Sequence, residues 1–287
     1  MSAAAAPTQF VEVLGNRIAY RSIGQGRPLL LANRTRGTLD TWDPLFLDEL
    51  ARTQRVITFD YPGVGYSSGS LPGDMQEVSG VVRGIATALR LEKVAILGWS
   101  WGGLVAEAAL LDHPDLVTHA IIVGSAPPGR DNAAIQPFWL ERALKPVNNL
   151  EDEVVLFFEP KSAASREAAR RSHERIHARP GVDGKIPSTP EEIRGYFKVA
   201  AGFHEDQPDR RKRLTATRIP MLVVCGDNDP SVPVSNWYPL IGKMPAAQLI
   251  VLPEAGHGPQ HQYPELCARY VAAFLPPQQR FEHAATR

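Results

Sequence analysis

Gly98-Trp99-Ser100-Trp101-Gly102-Gly103 is the stretch that decides how this chain folds. It follows the apolar run Val94-Ala95-Ile96-Leu97 and leads into residues 103–113, a helical pattern stopped by Pro114. Between a strand and a helix, G-x-S-x-G makes a tight turn that lifts the serine hydroxyl above the edge of a sheet. A Cβ at Gly98 or Gly102 would crowd that turn. Ser100 then lies near a helix N-terminus, whose free N–H groups favour developing negative charge. Taken alone, the same residues also fit an ordinary glycine-rich loop.

Outward from this segment the chain alternates. Residues 10–14 and 17–21, joined at Gly15-Asn16, predict an antiparallel hairpin. Residues 28–32, 55–59, 94–98 and 120–123 are nearly continuous apolar runs, the pattern of parallel strands covered on both faces. Helical patterns at 44–52, 75–91 and 103–113 fall between them, so right-handed crossovers give a mostly parallel, doubly wound α/β sheet. The alternation stops after Ala126 and resumes with strands at 219–225 and 248–252 and helices at 235–242 and 261–274. Between them, helical patterns at 137–158, 162–178 and 190–202 carry Phe138, Trp139, Leu156, Phe157, Phe158, Tyr196 and Phe197, too apolar a set to stay unfolded. The expected organisation is a core of residues 8–127 and 217–276, an inserted helical cap at 128–216, and tails at 1–7 and 277–287.

The 31 Lys and Arg residues equal the 31 Asp and Glu residues, so no bulk attraction draws the chain to nucleic acid or an anionic bilayer. No apolar stretch reaches the roughly 18 to 20 residues that span a membrane, and the alanine-rich start lacks a basic flank. A cytoplasmic monomer or homodimer acting on a small molecule is expected. Cys225 and Cys267 read as buried free thiols. The charged runs at 166–179 and 210–213 alternate with Glu167, Glu174 and Asp209 and read as a solvated, ion-paired face.

A serine hydroxyl becomes a useful nucleophile only beside an oriented base held by an acid. Gly226-Asp227-Asn228-Asp229-Pro230 follows one predicted strand, and Gly256-His257-Gly258 follows the next. All three elements lie at carboxyl ends of strands, where open α/β sheets place their sites, in the order serine, aspartate, histidine. On the residues alone, Asp227 and Asp229 are both candidates for the acid.

With these segments, Asn33-Arg34-Thr35-Arg36-Gly37 and Asp60-Tyr61-Pro62-Gly63-Val64-Gly65-Tyr66-Ser67, the chain resembles the α/β-hydrolase superfamily over nearly its whole length. Its capped arrangement is similar to that of small esterases, lactonases and cofactor-free perhydrolases. The resemblance implies Ser100 as nucleophile, His257 as base and Asp229, three residues after Gly226 and four before Pro233, as acid. Asp227 would then cap its loop. It also implies an oxyanion hole from the N–H groups of Thr35 and Trp101. Asn33-Arg34 stands where relatives carry His-Gly, which leaves the course of that loop open. Arg34 and Arg36 are candidates for binding a substrate carboxylate, against the alternatives of solvation or a salt bridge within the loop.

Trp99 is expected beneath the turn. Trp101, Tyr66, Phe138, Trp139, Phe157 and Phe158 are expected around a mainly apolar pocket. His261 lies four residues after His257, but Gly258-Pro259 prevents a shared helix face. His113, His119, His173, His177, His204 and His283 show no carboxylate spacing that converges on them, so neither a metal nor a cofactor is predicted. The reading is a serine hydrolase cleaving a carboxylic ester or lactone of a small to medium, largely apolar substrate through an acyl-enzyme. Amide or carbon–carbon bond hydrolysis on the same residues, or a non-catalytic small-ligand-binding homologue, are the alternatives.

Overall fold

The computed structural model describes residues 1–276; the expected tail at 277–287, with His283, lies outside the described residues. Gly15, at φ 79°, closes the tight turn between β1 (Gln9–Val13) and β2 (Asn16–Ile23). Then follow β3 (Arg27–Ala32), α1 (Pro44–Leu50), β4 (Gln54–Phe59), α2 (Met75–Ala88), β5 (Val94–Trp99), α3 (Trp101–Asp112) and β6 (Val117–Val123). A helical segment comes next: α4 (Pro137–Ala143), α5 (Leu150–Phe157), α6 (Ala163–His177), α7 (Pro190–His204) and α8 (Arg210–Ala216). The chain closes with β7 (Met221–Gly226), β8 (Ala247–Leu252), α9 (Pro259–Gln262) and α10 (Pro264–Phe274).

The strands form one eight-stranded sheet in the order β1-β2-β4-β3-β5-β6-β7-β8. β1 and β2 run antiparallel to each other, and β2 runs antiparallel to β4. Every other pairing is parallel, and β5, which ends at the serine turn, lies in the middle between β3 and β6. The two-residue period of the strands divides the core. Leu29, Leu31, Leu97 and Ile121 pack with Phe46 of α1 and Val271 of α10, whereas Leu30, Ile96 and Ile122 pack with Val82 of α2 and Val105 of α3. Among the described residues no helix is long and apolar enough to cross a membrane. Both cysteines are free and buried, and burial pushes their thiol pKa values up.

Several elements differ from expectation for local reasons. Residues 137–158 divide into α4 and α5, because Pro146 and Asn149, which caps α5 through the Asp152 N–H, end one helix and start another. Residues 235–242 form only two 3₁₀ turns around Pro239, and Pro264 separates α9 from α10. The expected tail at 1–7 is docked: Ala3 donates to Asp48 at 2.6 Å, and Arg179 donates to the Ala4 carbonyl at 2.6 Å. The charged runs are also more than a solvated face. Arg175 grips the fully buried Asp43 with two bonds of 2.8 and 2.6 Å, and Arg213 reaches the Leu111 carbonyl at the end of α3 at 2.5 Å.

Glu107 on α3 is fully buried, and neither of its carboxylate oxygens has a partner. Burial pushes its pKa well above the usual carboxylate range, and the field of Arg211 offsets this only in part. A carboxyl raised by folding permits full stability below its unfolded pKa of about 4.3 and costs stability as pH rises towards the folded value, by at most ~1.4 kcal/mol per pH unit. Glu107→Gln should therefore match the wild type near pH 4 and exceed it increasingly up to pH 8 in thermal unfolding. Parallel Tm curves over that range would refute this account.

Candidate active site

The turn after β5 is built as its glycines require. A Cβ on Gly98 would lie 1.9 Å from the Gly102 carbonyl oxygen, and one on Gly102 would lie 2.0 Å from that of Ala32. Ser100 sits between them at φ 58°, ψ −121°, held by its N–H bond to the Val123 carbonyl at 2.8 Å. A non-glycine residue in this region costs on the order of 1–3 kcal/mol and persists where its surroundings over-determine it. Trp99 is fully buried beneath the turn, and its indole N–H donates to the His257 carbonyl at 2.8 Å.

The fold brings Ser100, His257 and Asp229 into one hydrogen-bonded chain. Ser100 Oγ is 2.7 Å from His257 Nε2, and His257 Nδ1 is 2.7 Å from Asp229 Oδ2. The other Asp229 oxygen accepts the N–H groups of Ser231 and Val232, both at 2.8 Å, so this buried carboxylate is fixed at both ends. With Oδ1 taken up by these two amides, Oδ2 is left to accept from the imidazole. His257 thus carries its proton on Nδ1 and turns the Nε2 lone pair to the serine. Asp227 instead caps its loop by accepting from Ala255 N–H at 3.1 Å and the Asn228 amide at 2.7 Å.

Thr35 and Trp101 both line the open cavity of about 260 Å³ that holds Ser100. Among the described residues neither backbone N–H donates to a protein acceptor. Asn33 fixes the course of its loop from within. Its amide donates to Thr38 O at 2.8 Å and Thr41 Oγ1 at 3.0 Å, its Oδ1 accepts the Arg34 N–H at 2.8 Å, and Tyr61 holds its carbonyl at 3.1 Å.

Arg34 turns away from this cavity: it donates to the Thr35 carbonyl at 2.9 Å, and its guanidinium lies 4.5 Å from the Phe157 ring centroid. Arg36 is equally remote from a substrate carboxylate. It sits at φ 62° and is almost wholly buried. It donates to the carbonyls of Pro187 at 2.6 Å, Lys145 at 2.7 Å and Pro146 at 2.5 Å. Burial among these neutral acceptors lowers its pKa. The residue after Thr35 is therefore clamped by two separate parts of the helical segment.

Of the predicted aromatic residues, Trp139 and Trp101 line the cavity, and the Trp139 ring lies edge-on 5.5 Å from that of His257. Phe138 is 52% exposed, and Phe157 and Phe158 border a second cavity beyond Arg34. The Tyr66 hydroxyl donates to Asp40 at 2.7 Å. Tyr196, Phe197, Ala200 and Ala201 on one face of α7 supply much of the wall instead. Their i, i+4 spacing was visible, but nothing in it says which helix face meets the sheet.

Residues 30–264 match the alpha/beta hydrolase fold family. The chain belongs to this family. An alpha/beta hydrolase fold protein from Chitinophaga pinensis is 32% identical, with a TM-score of 0.84 over 96% of this chain and 98% of that one. A pimeloyl-[acyl-carrier protein] methyl ester esterase from Vibrio campbellii is 28% identical over 86% of this chain and 93% of its own length. A 2-hydroxy-6-oxononadienedioate/2-hydroxy-6-oxononatrienedioate hydrolase from Cupriavidus pinatubonensis is 27% identical, covering 79% of this chain and 78% of that protein.

In an α/β hydrolase with this geometry, Ser100 should react stoichiometrically with a fluorophosphonate. Removing the clamp beside Thr35 should slow that reaction, since loss of one oxyanion donor costs about 10²–10³ in rate. Arg36→Ala is expected to label roughly 10- to 100-fold more slowly at a Tm still above the assay temperature, as a fraction of that cost. Unchanged labelling would show that the clamp does not position Thr35.

Proposed function

We propose that this α/β hydrolase cleaves a carboxylic ester or lactone of a small to medium, largely apolar substrate through an acyl-enzyme on Ser100. The observation that carries this reading is the Ser100–His257–Asp229 chain opening, beside two unengaged N–H groups, into a cavity whose lining includes no lysine, arginine or carboxylate. His204, in the wall, is held towards its neutral form by burial. The Ser125 and Tyr196 hydroxyls, both buried and unpartnered, are uncharged polar points in this wall. A dianionic substrate would meet no compensating charge there, which favours an uncharged ester over the dioate handled by the Cupriavidus relative.

Ser100 Oγ attacks the carbonyl as its proton passes to His257 Nε2, and Asp229 stabilises the resulting imidazolium. The Thr35 and Trp101 N–H groups receive the charge on the tetrahedral oxygen, aided by the N-terminus of α3. Collapse expels the alcohol, which takes its proton from Nε2. Water then gives a proton to the same nitrogen and attacks the acyl carbon, and a second collapse returns that proton to Ser100 as the acid leaves. A lactone follows the same steps with the alcohol still tethered.

Hydrolysis of an acyl-ester and lactone panel tests the reading. Ser100→Ala should lose activity by about 10⁶-fold, as such nucleophile removals do, without a large change in Tm. Wild-type turnover in that variant, or no turnover of any ester or lactone by the wild type, would overturn it. Trp139→Ala opens the wall beside His257 and should change the ratio of kcat/KM for long and short acyl chains by roughly 10-fold or more, the scale of one to two methylenes of fit. An equal effect on both chain lengths would remove Trp139 from substrate selection.

A further inference from the structure

The structure brings together side chains whose sequence spacing gave no sign of convergence. Glu153 from α5 meets His173 and His177, one turn apart on α6. One potential ligand atom from each lies within 4.8 Å of the others. His173 Nδ1 is 2.8 Å from Glu153 Oε2, and His177 Nε2 is 3.2 Å from Oδ1 of Asp183, on the turn that follows α6. The two imidazoles are in contact, with ring centroids 3.9 Å apart.

We propose that Glu153, His173, His177 and Asp183 form a divalent transition-metal site, with Zn²⁺ as its best-matched ion. The bonding at His177 carries the argument. Its Nδ1 lies 2.9 Å from the His173 carbonyl, an acceptor only, so the ring proton belongs on Nδ1. In the neutral ring Nε2 is then a lone pair facing a carboxylate oxygen. Two acceptors at 3.2 Å repel unless a proton or a cation stands between them. A proton would make His177 an imidazolium stacked against His173. A divalent ion reconciles both acceptors and also takes up the Glu153 carboxylate and a His173 nitrogen. The two imidazole nitrogens and the Glu153 oxygen, within 4.8 Å of one another, suit four-coordinate zinc at about 2.0–2.2 Å once the side chains close in, with the Asp183 carboxylate joining from beside His177. All four ligands keep some solvent exposure, which provides an entry path.

The site has a structural consequence. It ties α5 to α6 and to the turn at Asp183. One helical turn after Glu153, the Phe157 carbonyl accepts the Gly258 N–H at 2.6 Å, and the Phe157 ring packs edge-on against Trp99 at 5.2 Å. Metal at the cap therefore steadies the segment on which the His257 loop leans. This inference does not depend on the reaction proposed for Ser100.

The test uses the untagged full chain, stripped with chelator and titrated with ZnCl₂, with bound metal counted after dialysis and Tm read in parallel. One Zn²⁺ per chain is expected, with Tm rising by roughly 5 to 10 °C at a hundredfold excess over Kd. Affinity should fall at least tenfold in His173→Ala and in His177→Ala. The double variant, which keeps the Ser100 triad, controls for binding at His257. Equal zinc uptake by wild type and double variant, or a wild-type Tm indifferent to zinc, would overturn the site and leave a proton between His177 and Asp183.

Discussion

Ser100 holds a backbone conformation that its own side chain disfavours, and the rest of the molecule is arranged to hold it there. Its N–H is bonded to β6, the glycines on either side let backbone approach where no Cβ fits, and α3 behind it is buried all round. Strain of this kind survives only when many independent contacts agree. The central place of β5 supplies them, because a strand paired on both sides and covered on both faces has no soft direction in which to relax. The serine hydroxyl is thereby presented at a fixed point, and His257 and Asp229 need only be delivered to it by the ends of β7 and β8.

Delivery depends on a second set of restraints that run through the helical segment. Arg36, Arg175 and Arg179 join that segment to the sheet side by gripping carbonyls or buried carboxylates: Pro187, Lys145 and Pro146 for Arg36, Asp43 for Arg175, and Asp40 for Arg179. A guanidinium suits this work because its donors diverge in a plane and can bind two chain segments at once. The loop carrying Thr35 is therefore held by Asn33 on its core side and by Arg36 on the side of the helical segment. A histidine–glycine pair is not needed to shape it.

Much of this was legible in the sequence for one reason. Ser100 follows directly on β5, and Asp229 and His257 lie three and five residues beyond the ends of β7 and β8, so locating the strands located the residues. The alternation of apolar runs also showed the parallel sheet and its antiparallel start. What stayed hidden was decided by contacts between distant segments. Arg34 and Arg36 stood as candidates for a substrate carboxylate, for solvation or for a salt bridge, and none of these named their partners, backbone carbonyls, which have no sequence signature. Phe157 looked like a pocket residue, yet it packs beneath Trp99 because α5 presents that face to the core. α8 was masked by its run of basic residues. The His173 and His177 pair was visible at helical spacing, but Glu153 lies on another helix and only the packing of α5 on α6 brings it within reach.

The distribution of charge follows from the same packing. The two cations that flank Thr35, Arg34 and Arg36, both face away from the cavity and are satisfied by Thr35 and Phe157 or by carbonyls of the helical segment. The cavity keeps neutral walls, so in the proposed reaction the carbonyl would meet the Asp229–His257 pair, the two free N–H groups and the N-terminus of α3 rather than a fixed charge. Beside apolar surroundings such oriented dipoles act more strongly on a developing oxyanion than they would in bulk water. A charged side chain in the wall would add a field present before and after reaction alike, and would stabilise a charged ground state as much as the transition state. Moving the arginines to structural duty therefore does more than join two parts of the chain. In the reaction proposed above, it leaves at Ser100 the groups whose effect would grow as negative charge forms on the carbonyl oxygen.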